Sequence, residues 1–137
     1  MSQNEALYSQ VVSFDDLPEE VARPGITRKA YASDEVMLVW NTVQKGLEVR
    51  PHSHEDFDQL VVILEGTADY YVDGEAHRMG PRDVLLVERT KEHFIEVLEG
   101  PCINLDIFVP PRADYAHLTS WVQQLTSGEP LRLGAPS

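Results

Sequence analysis

Between two glycines the chain reads Gly46-LEVRPHSHEDFDQLVVILE-Gly66, which places two histidines one residue apart, a glutamine soon after them and then a run of aliphatic residues. If His52, Ser53 and His54 lie on a strand or at its edge, the two-residue period turns both imidazoles to one face, close enough to share an ion. The same pair suits a solvated polar edge, and spacing alone does not choose between the two. Ser53 projects away from both histidines and is not read as a nucleophile. Gln59 opens the run Leu60 to Leu64, which is far too short to cross a bilayer and of the right length for a strand.

The rest of the chain has the same short-strand character. RKAYA, EVMLVWNTV, QLVVILEG, ADYYV, DVLLVE, HFIEVL and CINLDIFV are rich in β-branched and aromatic residues and are separated by turn signals. Asp73-Gly74 predicts a type I′ hairpin between YYV and EAH. The pattern is that of an all-β sandwich or barrel. After Pro110-Pro111 the period changes, and Leu118, Trp121, Val122 and Leu125 fall on one face of a helix that Asp114 is placed to cap. The expected organisation is an N-terminal arm over 1–13, a barrel over 14–113, a short helix over 114–126 packed on its outside, and a flexible tail over 127–137.

With 137 residues, 42% of them hydrophobic, the chain is sized for one domain with a real core. A net charge of −12 with scattered Lys and Arg argues against nucleic acid as a partner. No basic leader or long apolar run is visible, so the expectation is a cytoplasmic protein with no membrane partner. The lone Cys102 excludes an internal disulfide and reads as a small buried apolar residue.

A third histidine, His93, follows DVLLVERTKE on a separate strand, so His52, His54, Gln59 and His93 are able to converge from two strand pairs inside a barrel. At these separations Gly46 to Gly66 resembles the first motif of the cupin superfamily. Pro81 to Val97, PRDVLLVERTKEHFIEV, resembles the second, with Asp83 and His93 in place and Glu88 and Thr90 standing where proline and glycine are usual. The resemblance implies a double-stranded β-helix barrel and one divalent metal ion on His52, His54, Gln59 and His93. Imidazole and amide ligands suit zinc, nickel, iron or manganese alike. It also implies a homodimer, because barrels of this kind have edges to cover.

Many cupin oxygenases carry glutamate at the position of Gln59. A neutral amide leaves the charge of the ion uncompensated, which favours an anionic small-molecule substrate or Lewis-acid chemistry. It also removes a carboxylate base, so a proton carrier has to come from elsewhere. In NLDIFVPPRADY, Asn104 to Tyr115, Asp106 alternates with Leu105 and Ile107, and Arg112 follows the Pro-Pro break, where its planar fork suits a carboxylate. An Asp and an Arg at a strand-to-helix junction are equally at home on a surface. Together with the glutamine-containing ligand set, the segment resembles the KdgF-type cupins, which open unsaturated uronate rings to linear keto sugar acids. That resemblance implies an isomerase-like enzyme with Asp106 and Arg112 in its active site. The alternatives are a metal-dependent dioxygenase or polyketide cyclase acting on a small phenolic substrate, and a non-catalytic sugar-binding cupin. His77 and His117 read as solvated, and Trp40, Phe57, Tyr70 and Tyr71 as core or cavity lining.

Overall fold

The aliphatic run that starts at Gln59 does not stop at Gly66. In the computed structural model, which describes residues 5–134, it continues to Val72 as one strand. The strands are β1 (Glu20–Arg23), β2 (Ile26–Ala32), β3 (Met37–Val43), β4 (Asp58–Val72), β5 (Glu75–Met79), β6 (Val84–Val87) and β7 (His93–Val109). All pair antiparallel in the order β1-β2-β3-β7-β4-β5, with β6 also on β4. QLVVILEG and ADYYV are therefore the two halves of β4, and HFIEVL and CINLDIFV the two halves of β7.

These two long strands pair along their whole length, from Asp58 opposite Val109 to Val72 opposite His93, and their register shifts between Ile63 and Ala68. Before the shift the buried residues of β4 are Gln59, Val61 and Ile63; after it they are Ala68 and Tyr70. The change from odd to even positions is the mark of a bulge, which bends the ribbon while keeping one face inward. Gly66 sits at the bend with φ +82°, and a Cβ there would lie 2.6 Å from the Glu99 carbonyl oxygen and 2.9 Å from Cys102 Cα. On one side of the bend the halves of β4 and β7 join β1, β2, β3 and β6; on the other they join β5. Val43, Val61, Ile63, Tyr70, Met79 and Val97 come from both sides and fill the space between. This is the all-β jelly-roll barrel expected from the strand pattern. Asp73 (φ 48°) and Gly74 (φ 81°) make the expected left-handed turn between β4 and β5.

Several local expectations need correction. The final helix is a 3-10 helix over Ala113–Gln124, and Asp114 does not cap it. The Asp114 carboxylate instead accepts from Arg112 Nε at 3.1 Å and Nη2 at 2.7 Å, since a guanidinium two residues away is a stronger partner than a backbone amide. Leu118 and Trp121 are buried beneath it, Trp121 Nε1 donates to the Ala30 carbonyl at 2.9 Å, and Val122 and Leu125 are partly covered. Within the segment read as a free arm, Leu7 is buried against Leu17 and Trp121. Glu20–Arg23 is a strand that its mixed composition did not reveal. In the segment read as a tail, Leu131 packs on the Trp121 cluster and Gly134 N donates to Ser120 Oγ at 2.7 Å, while 1–4 and 135–137 lie outside the described residues. No helix among the described residues is long and apolar enough to cross a membrane.

Gly66 and Gly74 have nearly the same φ, but nothing lies within 4 Å of a Cβ at Gly74. Gly74→Ala is expected to lower stability by about 1 kcal/mol, the cost of a left-handed alanine. Gly66→Ala is expected to lose several kcal/mol more in urea denaturation, because two backbones must separate. Equal losses in the two variants would contradict the role given to the crossing.

Candidate functional site

His52 enters the site through a bridge to His93, in which each backbone N–H donates to the other's carbonyl, at 3.1 and 2.8 Å. His54 follows one residue after Ser53, its own carbonyl accepting from Thr90 N at 2.6 Å. The three imidazoles bring one nitrogen each to within 4.8 Å of one another. His52 Nδ1 lies 3.0 Å from the Arg50 carbonyl and His93 Nδ1 2.9 Å from that of Lys91. A backbone oxygen can only accept, so each Nδ1 carries the proton and each Nε2 keeps its lone pair for the interior. Burial, followed by the positive charge of Arg112, pushes His54 down to about 4, and burial also pushes His93 to about 4. Both are therefore neutral at pH 7, the form that binds metal.

Gln59, at the start of β4, lines the same cavity as His52. Its Nε2 donates to the Tyr70 hydroxyl at 3.3 Å, which turns Oε1 the other way. His54 Nε2, His93 Nε2 and Gln59 Oε1 are all buried without a hydrogen-bond partner in the protein. Buried acceptors left unpaired cost about 1–3 kcal/mol each. The histidine nitrogens lie close enough together to share a divalent cation, which would satisfy the lone pairs of His54 and His93, and the Gln59 oxygen is a further buried acceptor without a partner. The donor set suits such an ion, with imidazole and amide oxygen as ligands.

The adjoining cavity, of about 260 Å³, is lined by His52, Gln59, Tyr70, Asp106 and Arg112 among others. Alternation along β7 puts Asp106 on the inward face with Cys102, Asn104 and Phe108. Its neighbours across the ladder are Val39 on β3 and Val61 on β4, both fully buried. Asn41 Nδ2 donates to one carboxylate oxygen at 2.9 Å and Asn104 Nδ2 to the other at 3.0 Å. Burial raises Asp106 from the ordinary carboxylate range to about 7, against the lowering effect of amide donors from Gln59, Asn104 and Asn41 and of the charge on Arg112. A carboxyl poised near neutrality beside a cavity can both take and give a proton.

Arg112 also lines this cavity, with its side chain almost buried. The guanidinium carbon stands 3.8 Å from the Tyr115 ring centroid and 5.1 Å from that of Phe108. Its Nε and Nη2 donate to Asp114, so its position is set before any ligand arrives.

The cupin domain family matches residues 39–108, which contain every one of these histidines, Gln59 and Asp106. The chain is a cupin. Among its relatives is the pectin degradation protein KdgF of Dickeya dadantii (strain 3937), 30% identical over 102 residues that cover 74% of this chain and 93% of the relative. The structure of KdgF from Halomonas sp. superimposes with a TM-score of 0.71 at 28% identity, covering 77% of this cupin and 96% of that chain. An RmlC-like cupin from Shewanella frigidimarina NCIMB 400 gives 0.70 at 27% identity, covering 79% and 97%. Thr90, standing where cupins usually have glycine, takes φ +74°, a left-handed conformation that disfavours a β-branched residue. The loop that holds the His54 carbonyl is thus a strained one.

The structure brings His52, Gln59, Asp106 and Arg112 to one cavity, and it brings His54 and His93 to His52. His117 lies apart, bonded through Nε2 to Glu20 at 2.7 Å. Sequence reasoning missed Asn41 and Asn104, although each is a polar residue at an inward position of an otherwise aliphatic strand, which was a usable signal. It also missed Arg23 and Arg28 as cavity residues, because β1 and its hairpin with β2 were not recognised, and Arg50, which lies on the irregular segment between β3 and β4.

Elemental analysis of the protein purified without added metal is expected to give one divalent ion per chain. His54→Ala is expected to lose most of it, and full occupancy in that variant would remove His54 from the site.

Proposed function

We propose that this cupin is a metal-dependent ring-opening enzyme that converts a small unsaturated uronate to a linear keto sugar acid. The observation that carries this reading is the Asp106 carboxyl, held by two amides and lining the same cavity as His52, Gln59 and Arg112. The likeness to proteins named KdgF, one of them for pectin degradation, supports the substrate class. His52, His54, Gln59 and His93 would hold the metal, which when bound supplies a Lewis acid for a substrate oxygen. Opening the cyclic hemiacetal breaks the bond between the anomeric carbon and the ring oxygen, and the anomeric hydroxyl proton passes to that oxygen, leaving an aldehyde and an enol. Asp106 carries the enol proton to the neighbouring carbon, leaving a ketone; this second proton transfer completes an isomerisation in which no electrons are lost or gained. Asn41 and Asn104 hold the carboxyl in place while it exchanges that proton. Arg112, locked by Asp114 and stacked on Tyr115, directs the substrate carboxylate with the N–H groups it has left.

The reaction needs no oxygen and no redox change, so the zinc-loaded protein is expected to consume an unsaturated uronate monomer anaerobically, followed by loss of enol absorbance. Asp106→Asn is expected to reduce kcat at least about a hundredfold with metal content intact, the ordinary scale of a lost acid–base group. Activity confined to iron and oxygen would reject this reading in favour of an oxygenase.

The homodimer also belongs to this proposal. Val84 and Leu86 on β6 and Val109 on β7 expose apolar side chains on the outer sheet face, which a second copy would cover. Light scattering at micromolar concentration is expected to return twice the chain mass; the mass of one chain would contradict it.

A further inference from the structure

The chain carries a net charge of −12, yet four arginines, Arg23, Arg28, Arg50 and Arg112, line the cavity beside the histidines, against Asp106 as the one acid lining it. Their charges are not equally available. Glu20 neutralises Arg28 through contacts of 2.7 and 2.9 Å, and Asp114 neutralises Arg112 through contacts of 2.7 and 3.1 Å. Arg23 donates through Nη2 to the Glu48 carbonyl at 2.6 Å, a neutral acceptor that leaves its charge in place. The exposed Arg50 side chain has no hydrogen-bond or ion-pair partner among the described residues. Its backbone is nevertheless anchored, because the Arg50 carbonyl accepts from His52 Nδ1 at 3.0 Å. The guanidinium thus projects from a point tied to the histidine cluster, with its five donors unspent.

We infer that Arg50, backed by Arg23, is a specificity-determining residue that captures the carboxylate of an anionic sugar at the mouth of the cavity. This rests on the uronate reading and adds the residue that makes it electrostatically workable. A carboxylate that reaches Arg112 meets a cation whose charge Asp114 already balances, so the compensating charge has to come from elsewhere. Arg50 supplies it, and the local field overrides the long-range repulsion of the acidic surface because distant charges are screened beyond about 10 Å at ordinary salt. Arg50 takes no part in moving the proton. Its loss therefore falls on binding and leaves the chemical step alone.

The test compares zinc-loaded wild type, Arg50→Gln and Arg50→Lys in turnover of an unsaturated uronate monomer and in calorimetric binding of galacturonate and of galactose. Arg50→Gln is expected to raise KM and weaken galacturonate binding on the order of tenfold, the lower end of what focused charge contributes. It is expected to leave kcat, metal content and galactose binding unchanged and to flatten the salt dependence of kcat/KM; Arg50→Lys is expected to recover most of the loss. Turnover by wild type with the same KM and galacturonate affinity in Arg50→Gln would overturn this inference and leave the ring-opening reading standing. Galacturonate binding that depends on Arg50 in a protein that turns over no uronate would do the reverse. Absence of galacturonate binding to wild type would overturn the inference outright.

Discussion

The hydrogen bond from Gln59 Nε2 to the Tyr70 hydroxyl joins two residues of one strand that are 11 positions apart. In a straight strand they would be separated by about 36 Å. The bond exists because β4 and β7 bend together where Gly66 passes against the Glu99 and Pro101 carbonyls, with no room for a side chain. The bend carries the start of β4 back over its own end. It thereby brings Gln59 to the face occupied by His93, the residue paired with Val72 at the far end of the same ladder. The bulge also switches which positions point inward, so the two halves present Gln59 and Tyr70 to one interior. Without the crossing, the ligand cluster and Asp106 would lie along a flat ribbon.

Burial acts on His54, His93, Asp106 and Tyr70 in the same sense, toward the neutral form of each. It lowers His54 and His93 to about 4, raises Asp106 to about 7 and raises Tyr70 above its ordinary range. The neutral histidines and the neutral amide of Gln59 make a site that is short of positive charge and rich in lone pairs, suited to a cation. Four guanidiniums, those of Arg23, Arg28, Arg50 and Arg112, belong to residues lining the neighbouring cavity.

Much of the site was legible because its signals are local. His52 and His54 stand one residue apart, although only His52 forms a bridge and no strand carries the pair; Gln59 opens an aliphatic run, and Asp106 alternates with Leu105 and Ile107. The Asp73-Gly74 turn and the fold class were legible for the same reason. The Asp114 cap was misread because a side-chain partner two residues away competes with the backbone, and Leu7 because its partners Leu17 and Trp121 are distant in the chain. Arg23, Arg28 and Arg50 read as scattered charges along the sequence, and they gather only when the β1–β2 hairpin closes one wall of the cavity.

By itself the sequence determined the strand-rich character, since that follows from residue type and a period of two; the ligand set of three histidines and Gln59 was implied by the cupin resemblance, and the period put Asp106 opposite Leu105 and Ile107 without saying which face is inward. Only the tertiary structure decided that four short runs are two bent strands, that Asn41 and Asn104 hold Asp106, and that Arg112 is already neutralised while Arg50 is not. Those outcomes depend on which residues meet across the ladder and across the cavity. Pairing of that kind is set by the bend at Gly66 and by burial, which no local pattern encodes.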